Sequence, residues 1–169
     1  MTNALYRLRD IAYNVFATLA CYDGINVSKK VETMKEYETY DSNVLDFIGH
    51  GVWDWNIATN EIFFSPQWKK MLGYRPEEIN NTIEAWSSRV HPDDFTQCLN
   101  ELAALFSGKN EHYRCEHRMR CKDGRYKWIL AQGGVITRNE EGSPMRVIGS
   151  HTDIDDLRSA LEAKKLSLD

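Results

Sequence analysis

Four cysteines (Cys21, Cys98, Cys115, Cys121) and five histidines (His50, His91, His112, His117, His151) are the side chains best suited to nucleophilic, acid–base or metal chemistry. The cysteines form no CxxC pair and no CxxC…H pattern. Their spacing does not place ligands together, so it predicts reduced thiols packed as small hydrophobes and no metal site. His91 precedes Pro92 and is predicted to help start a helix; His112 falls in a loop. His117 sits on the apolar side of a strand, which predicts a hydrogen-bonded core imidazole, with contact to a bound ligand as the sharper alternative. No Ser-His-Asp, Cys-His or HExxH arrangement occurs, and Gly133-Gly134 lies inside a strand and is no phosphate loop. An enzyme needs a nucleophile, base or metal in a workable constellation, so no catalytic residues are expected.

The elements that must position these groups follow from periodicity. Leu5, Leu8, Ala12, Val15 and Leu19 step by three and four, a heptad seam that predicts an N-terminal helix over 1–22. Asp23-Gly24 ends it, and a second helical stretch follows Ser28. The seam reads either as a dimer interface or as a helix folded back over the sheet of the same chain. From Gly51 the period becomes two: Trp53, Trp55 and Ile57 alternate with Asp54, Asn56 and Ala58, and Glu61 to Phe64 is a second strand. Pro66, Pro76 and Pro92 each open a short helix. The last of these carries Phe95, Leu99, Leu102 and Phe106 on one face and stops at Gly108. Tyr113, Cys115, His117, Met119 and Cys121 alternate with polar residues, Lys122-Asp123-Gly124 turns the chain, and strands follow over 126–137 and 145–152. Gly133-Gly134 is a candidate bulge or bend. A terminal helix over 156–168 carries Leu157, Leu161 and Leu168 on one side. Strands split by a helical cluster give an α+β domain with helices on one face of an antiparallel sheet.

Composition bounds the function. The chain has 169 residues, enough for one domain with additional helix, and is 42% hydrophobic, which excludes a disordered chain. A net charge of −4 argues against a dedicated nucleic-acid binder. The absence of a long apolar run and the charged start MTNALYRLRD predict a chain with no membrane span and a cytoplasmic location.

Four segments in order resemble the PAS family with a C-terminal PAC segment. They are GVWDWNIATNEIFFSPQWKKMLGY (51–74), AWSSRVHPDDF (85–95), EHRMRCKDGRYKWI (116–129) and GSHTDID (149–155). Asp155 stands where the family usually has threonine, and aspartate can cap a helix as well. The resemblance implies a five-stranded antiparallel sheet of order 2-1-5-4-3 with helices cupping one face. It divides the chain into an N-terminal helical extension (1–42), a sensor domain (43–155) and a linker helix (156–169). It implies a non-catalytic sensory module that relays a signal to an effector such as a histidine kinase or diguanylate cyclase; the alternative is a structural homodimerisation or docking module without ligand.

The resemblance also frames cofactors. Cys98 lies in TQCLN, which does not match the reactive-cysteine motif of flavin photosensors. The long helix over 92–106 carries no histidine for haem. No cofactor is the favoured reading, with a non-covalent flavin or a small organic ligand as alternatives. A cavity between sheet and long helix would be lined from Trp86, Phe95, Leu99, Leu102, Tyr113, Cys115, His117, Met119, Trp128, Leu130 and Gln132, with His117, Gln132 and Tyr113 as its polar groups. Implied partners are a second copy, an effector and a small-molecule ligand.

Overall fold

The computed structural model describes residues 45 and 47–167. The heptad residues Leu5, Leu8, Ala12, Val15 and Leu19, and Cys21, lie outside the described residues. Five strands and four helices follow in order: β1 (Gly51–Asn56), β2 (Glu61–Phe64), α1 (Pro66–Met71), α2 (Ile83–Ser87), α3 (Pro92–Phe106), β3 (Tyr113–Arg120), β4 (Tyr126–Arg138), β5 (Pro144–Asp153) and α4 (Asp155–Leu166). The strands form one antiparallel sheet of order β2-β1-β5-β4-β3. Pro76 opens only a three-residue 3-10 turn. Helix α2, not foreseen in the sequence, starts where the Thr82 hydroxyl accepts from the Ala85 N–H.

Local chemistry explains the breaks. The Ser65 hydroxyl accepts from the Val52 N–H at 3.0 Å and caps α1 through the Trp68 N–H. It thereby fastens α1 to β1, where a Cβ on Gly51 would meet the Trp68 Cβ at 2.7 Å. The His91 ring accepts from the Asp93 N–H, Pro92 takes the first helical position, and Asp93 and Asp94 face the positive end of the α3 dipole. Gly108, at φ +75°, lets the chain leave α3.

Gly133 and Gly134 make no bulge, contrary to the sequence expectation. Gly133 pairs in register with Tyr113 on β3 and with Gly149 on β5, and Gly149 pairs with Trp53 on β1. Gly133 and Gly149 clear a floor across which the Trp53 indole reaches the Tyr113 ring, edge to face at 6.2 Å. The irregularity in β4 comes later, between Val135 and Arg138.

Edge strand β3 is covered at its C-terminal end. The His91 N–H donates to the Arg118 carbonyl, the Arg120 N–H donates to the Arg89 carbonyl, and Asp94 Oδ2 accepts from the Arg118 N–H, each at 2.8 Å. Those partners close the Arg118–Arg120 end of the edge to strand addition. Asp94 also takes the Arg118 guanidinium through both carboxylate oxygens, at 2.9 and 2.7 Å.

Candidate functional site

Two elements build the interior. On β3, Tyr113, Cys115, His117 and Met119 all point inward and are buried, while Arg114 and Arg120 are exposed. Helix α3 presents Cys98, Leu102 and Leu105 as its buried face. The face expected from the sequence is therefore rotated: Phe95 and Phe106 pack at its margins and Leu99 is half-buried.

A cavity of about 40 Å³ lies among Trp53, Trp55, Ile62, Phe64, Ile83, Trp86, Leu102, Tyr113 and His151. Of the residues nominated from sequence, the structure brings Trp86, Leu102 and Tyr113 to its wall. Cys115, His117 and Met119 are buried on the same inner face but do not line it, and Phe95 reaches the Trp86 ring at 6.0 Å. Leu99 does not line it either.

Trp128, Leu130 and Gln132 lie on the opposite, outer face, which corrects the sequence assignment. The hairpin closes on Arg120 and Tyr126, so His117 faces Ile129 and Cys115 faces Ala131. Ile129 and Ala131 are the residues β4 buries, and the even-numbered ones turn outward. The sequence reading missed the contributions of β1, β2 and α2. Its own alternation had already put Trp53 and Trp55 on a buried face.

Walls this apolar, with His151 and Tyr113 as the polar groups, suit a small ligand. The volume is far below the ~300–1,000 Å³ of pockets that enclose drug-sized molecules. An intact flavin or haem would require the aromatic residues to move.

Beside the cavity, Cys98 Sγ and Cys115 Sγ stand 3.3 Å apart. With His117 they bring three ligating atoms within 4.8 Å of one another. This overturns the inference that the spacing keeps such groups apart: a helix and a strand 17 residues on supply them from facing surfaces. His117 also departs from expectation, because it is fully buried and neither ring nitrogen has a partner within hydrogen-bond distance, although the imidazole is close enough to the Cys115 thiol to lower it. The His151 ring lies 5.5 Å from it, with Nδ1 equally unpartnered.

The contact between the two cysteines separates their acidities. Hydrogen bonding from Cys98 holds the Cys115 thiol below the ordinary thiol range, against burial that pushes it up; His117 and Tyr113 also lower it. The same bond, then burial, drives Cys98 well above the ordinary thiol range. Burial raises Tyr113, and burial together with the neighbouring His117 depresses His151, which is therefore neutral near pH 7.

The exit of the domain is tied to the outer face of β4. The Asp155 carboxylate accepts from the Trp128 N–H at 3.1 Å, and the Ile154 N–H donates to the Trp128 carbonyl at 3.0 Å. Asp155 therefore acts as a tether and not as the cap of α4; Ile154 holds the cap position without a side-chain bond. Asp153 pairs with Lys127 at 2.7 Å. One turn on, Arg158 lies 4.3 Å over the Trp128 ring and pairs with Glu116 at 2.6 Å. Leu157 and Leu161 of α4 are exposed.

No helix among the described residues is long and apolar enough to cross a membrane. The family model described as PAS fold matches residues 61–151. The chain is 30% identical to a sensory box histidine kinase/response regulator from Burkholderia thailandensis, with TM-score 0.65 over 74% of this chain and 92% of that one. The N-terminal domain of a diguanylate cyclase with PAS/PAC sensor from Marinobacter aquaeolei is 25% identical, with TM-score 0.56 over 64% and 98% of the two chains. The peroxide stress-activated histidine kinase mak1 of Schizosaccharomyces pombe is 33% identical over 54% of this chain and 6% of its own length. The chain spans between 6% and 12% of the length of the curated relatives it matches. Sheet order, inward strand parity and the matched segment agree: this chain belongs to the PAS fold family.

Proposed function

We propose that the chain is a non-catalytic sensory module. A small, largely apolar ligand, or a partner that repacks the core, changes the interior between the sheet and α3. The change is relayed through α4 to an effector of the histidine kinase or diguanylate cyclase kind. The observation that carries this reading is the continuity of β5. His151 of β5 lines the cavity, and three of the next four residues, Asp153, Ile154 and Asp155, form the tether on Lys127 and Trp128 from which α4 starts. A shift of β5 relative to β4 strains that tether directly. A ligand acts only through its differential affinity for the docked and undocked arrangements.

Native mass spectrometry of the purified full chain tests this. A co-purifying small molecule, or one captured from a panel of small apolar compounds, is expected, and a Leu102→Trp variant that fills the cavity should lose it. An empty core across the panel contradicts ligand sensing. The same spectrum counts subunits. The exposed Ile136, Leu157 and Leu161, together with the small cavity, support the second reading, a homodimerisation module without ligand. A dimer mass with an empty core favours it.

A further inference from the structure

We propose that Cys98, Cys115 and His117 form a buried binding site for a thiophilic d10 cation, Zn²⁺ or Cu⁺. The site goes beyond the sensory reading and does not depend on it. Cys115 and His117 occupy alternate inward positions on β3, and Cys98 meets them from the buried face of α3. All three are at most 2% exposed. Their ligating atoms lie within 4.8 Å of one another. Two sulfurs on one tetrahedral zinc stand about 3.8 Å apart, given Zn–S bonds of about 2.3 Å. The observed separation of 3.3 Å needs only a small opening.

His117 decides between this and the obvious alternative. A Cys98–Cys115 disulfide would use both sulfurs and leave a fully buried imidazole with two unpartnered nitrogens. A buried polar group without a partner is costly, and a metal bound to one nitrogen removes that cost for it. The donor set contains no carboxylate, which disfavours Mg²⁺ and Ca²⁺, and thiolate with imidazole suits zinc and copper. Two thiolates with Zn²⁺ form a neutral unit, the charge state an apolar interior tolerates best. The three residues leave one position of a tetrahedral zinc open. Binding displaces the thiol protons to solvent and involves no change of oxidation state.

The test uses the full chain, refolded without oxygen in the presence of Zn²⁺, Cu⁺ or, as a spectroscopic probe, Co²⁺. The expected result is one metal per chain and a thiolate-to-cobalt charge-transfer band. A raised melting temperature should accompany it. Cys98→Ala and Cys115→Ala should each weaken binding by roughly a hundredfold or more, since even second-layer changes cost 10–100-fold. Cys121→Ala should leave it unchanged. Where a core variant fails to fold, the cobalt band of the unaltered chain decides: its intensity must report two thiolates. A natively folded chain that takes up none of the three metals overturns the proposal. So does uptake that survives Cys98→Ala, or a metal-free chain whose two thiols are joined as a disulfide.

Discussion

Replacing Gly133 by alanine puts the cross-sheet row to the test. A Cβ there would stand 2.6 Å from the Ile148 carbonyl oxygen and 2.8 Å from two atoms of the Trp53 ring. Ordinary contact begins at 3.4 Å, so the overlap is about 0.8 Å on the backbone side and about 0.6 Å on the ring side. The carbonyl belongs to a paired strand and cannot move independently. Forcing extra volume into a packed core costs about 1–3 kcal/mol, and a backbone obstacle places this case near the top of that range. Alanine also lowers the entropy of the unfolded chain, which returns about 0.4–1 kcal/mol. The net loss is about 2 kcal/mol. Gly134 is the control, because its nearest neighbours are 3.9 Å from the same added atom. Gly134→Ala should be neutral or stabilising by about 0.4–1 kcal/mol. The assay is urea unfolding followed by tryptophan fluorescence and far-ultraviolet circular dichroism. With m near 1.5–2 kcal/mol per molar, Gly133→Ala should lower the midpoint by roughly 1 M. Adding Trp53→Leu should recover part of the loss through the relieved ring contact. If Gly133→Ala and Gly134→Ala had the same stability, the close crossing of Trp53 over Gly133 and Gly149 would be refuted.

Two further outcomes can be checked by standard measurements. Arg118 hydrogen bonding holds the Asp94 carboxyl below its ordinary value. The stability this contributes is present above the unfolded value of about 3.9 and is lost as pH falls through the lower folded value. Asp94→Asn should therefore cost no more than about 1 kcal/mol at pH 7, since solvent screens the pair, and flatten the acid limb of a stability-against-pH curve. Arg158→Ala removes the cation over Trp128 and the ion pair with Glu116, together about 1–2 kcal/mol of docking. Amides of α4 should then exchange roughly 5–30-fold faster by hydrogen–deuterium exchange, with little change in the core.

Much of the fold was legible because one face of each strand is buried. Alternation alone identified Tyr113, Cys115, His117 and Met119 as inward-facing, and all four are buried. The Pro92 start, the two aspartates after it and the Gly108 stop marked α3 nearly to the residue. What failed depended on register and rotation. Trp128, Leu130 and Gln132 are apolar or amphipathic enough for either side, and only the closing pair Arg120–Tyr126 fixes their parity. Cys98 falls outside the Phe95, Leu99, Leu102 and Phe106 stripe that the sequence presents as the helix face, yet it is buried with Leu102 and Leu105. The meeting of Cys98, Cys115 and His117 is a tertiary event with no spacing signature. Gly133-Gly134 reads as a bulge or bend because a strand glycine carries no sign of what approaches it.

The relay from core to exit helix can be measured with xenon, which enters apolar cavities. In ¹H–¹⁵N spectra of the full chain under xenon pressure, the indole N–H signals of Trp53 or Trp86 should shift. The backbone amides from Asp153 to Arg158 should shift with them, at the same xenon dependence. Shifts at the indoles that leave Asp153 to Arg158 unmoved would contradict a core that communicates with α4.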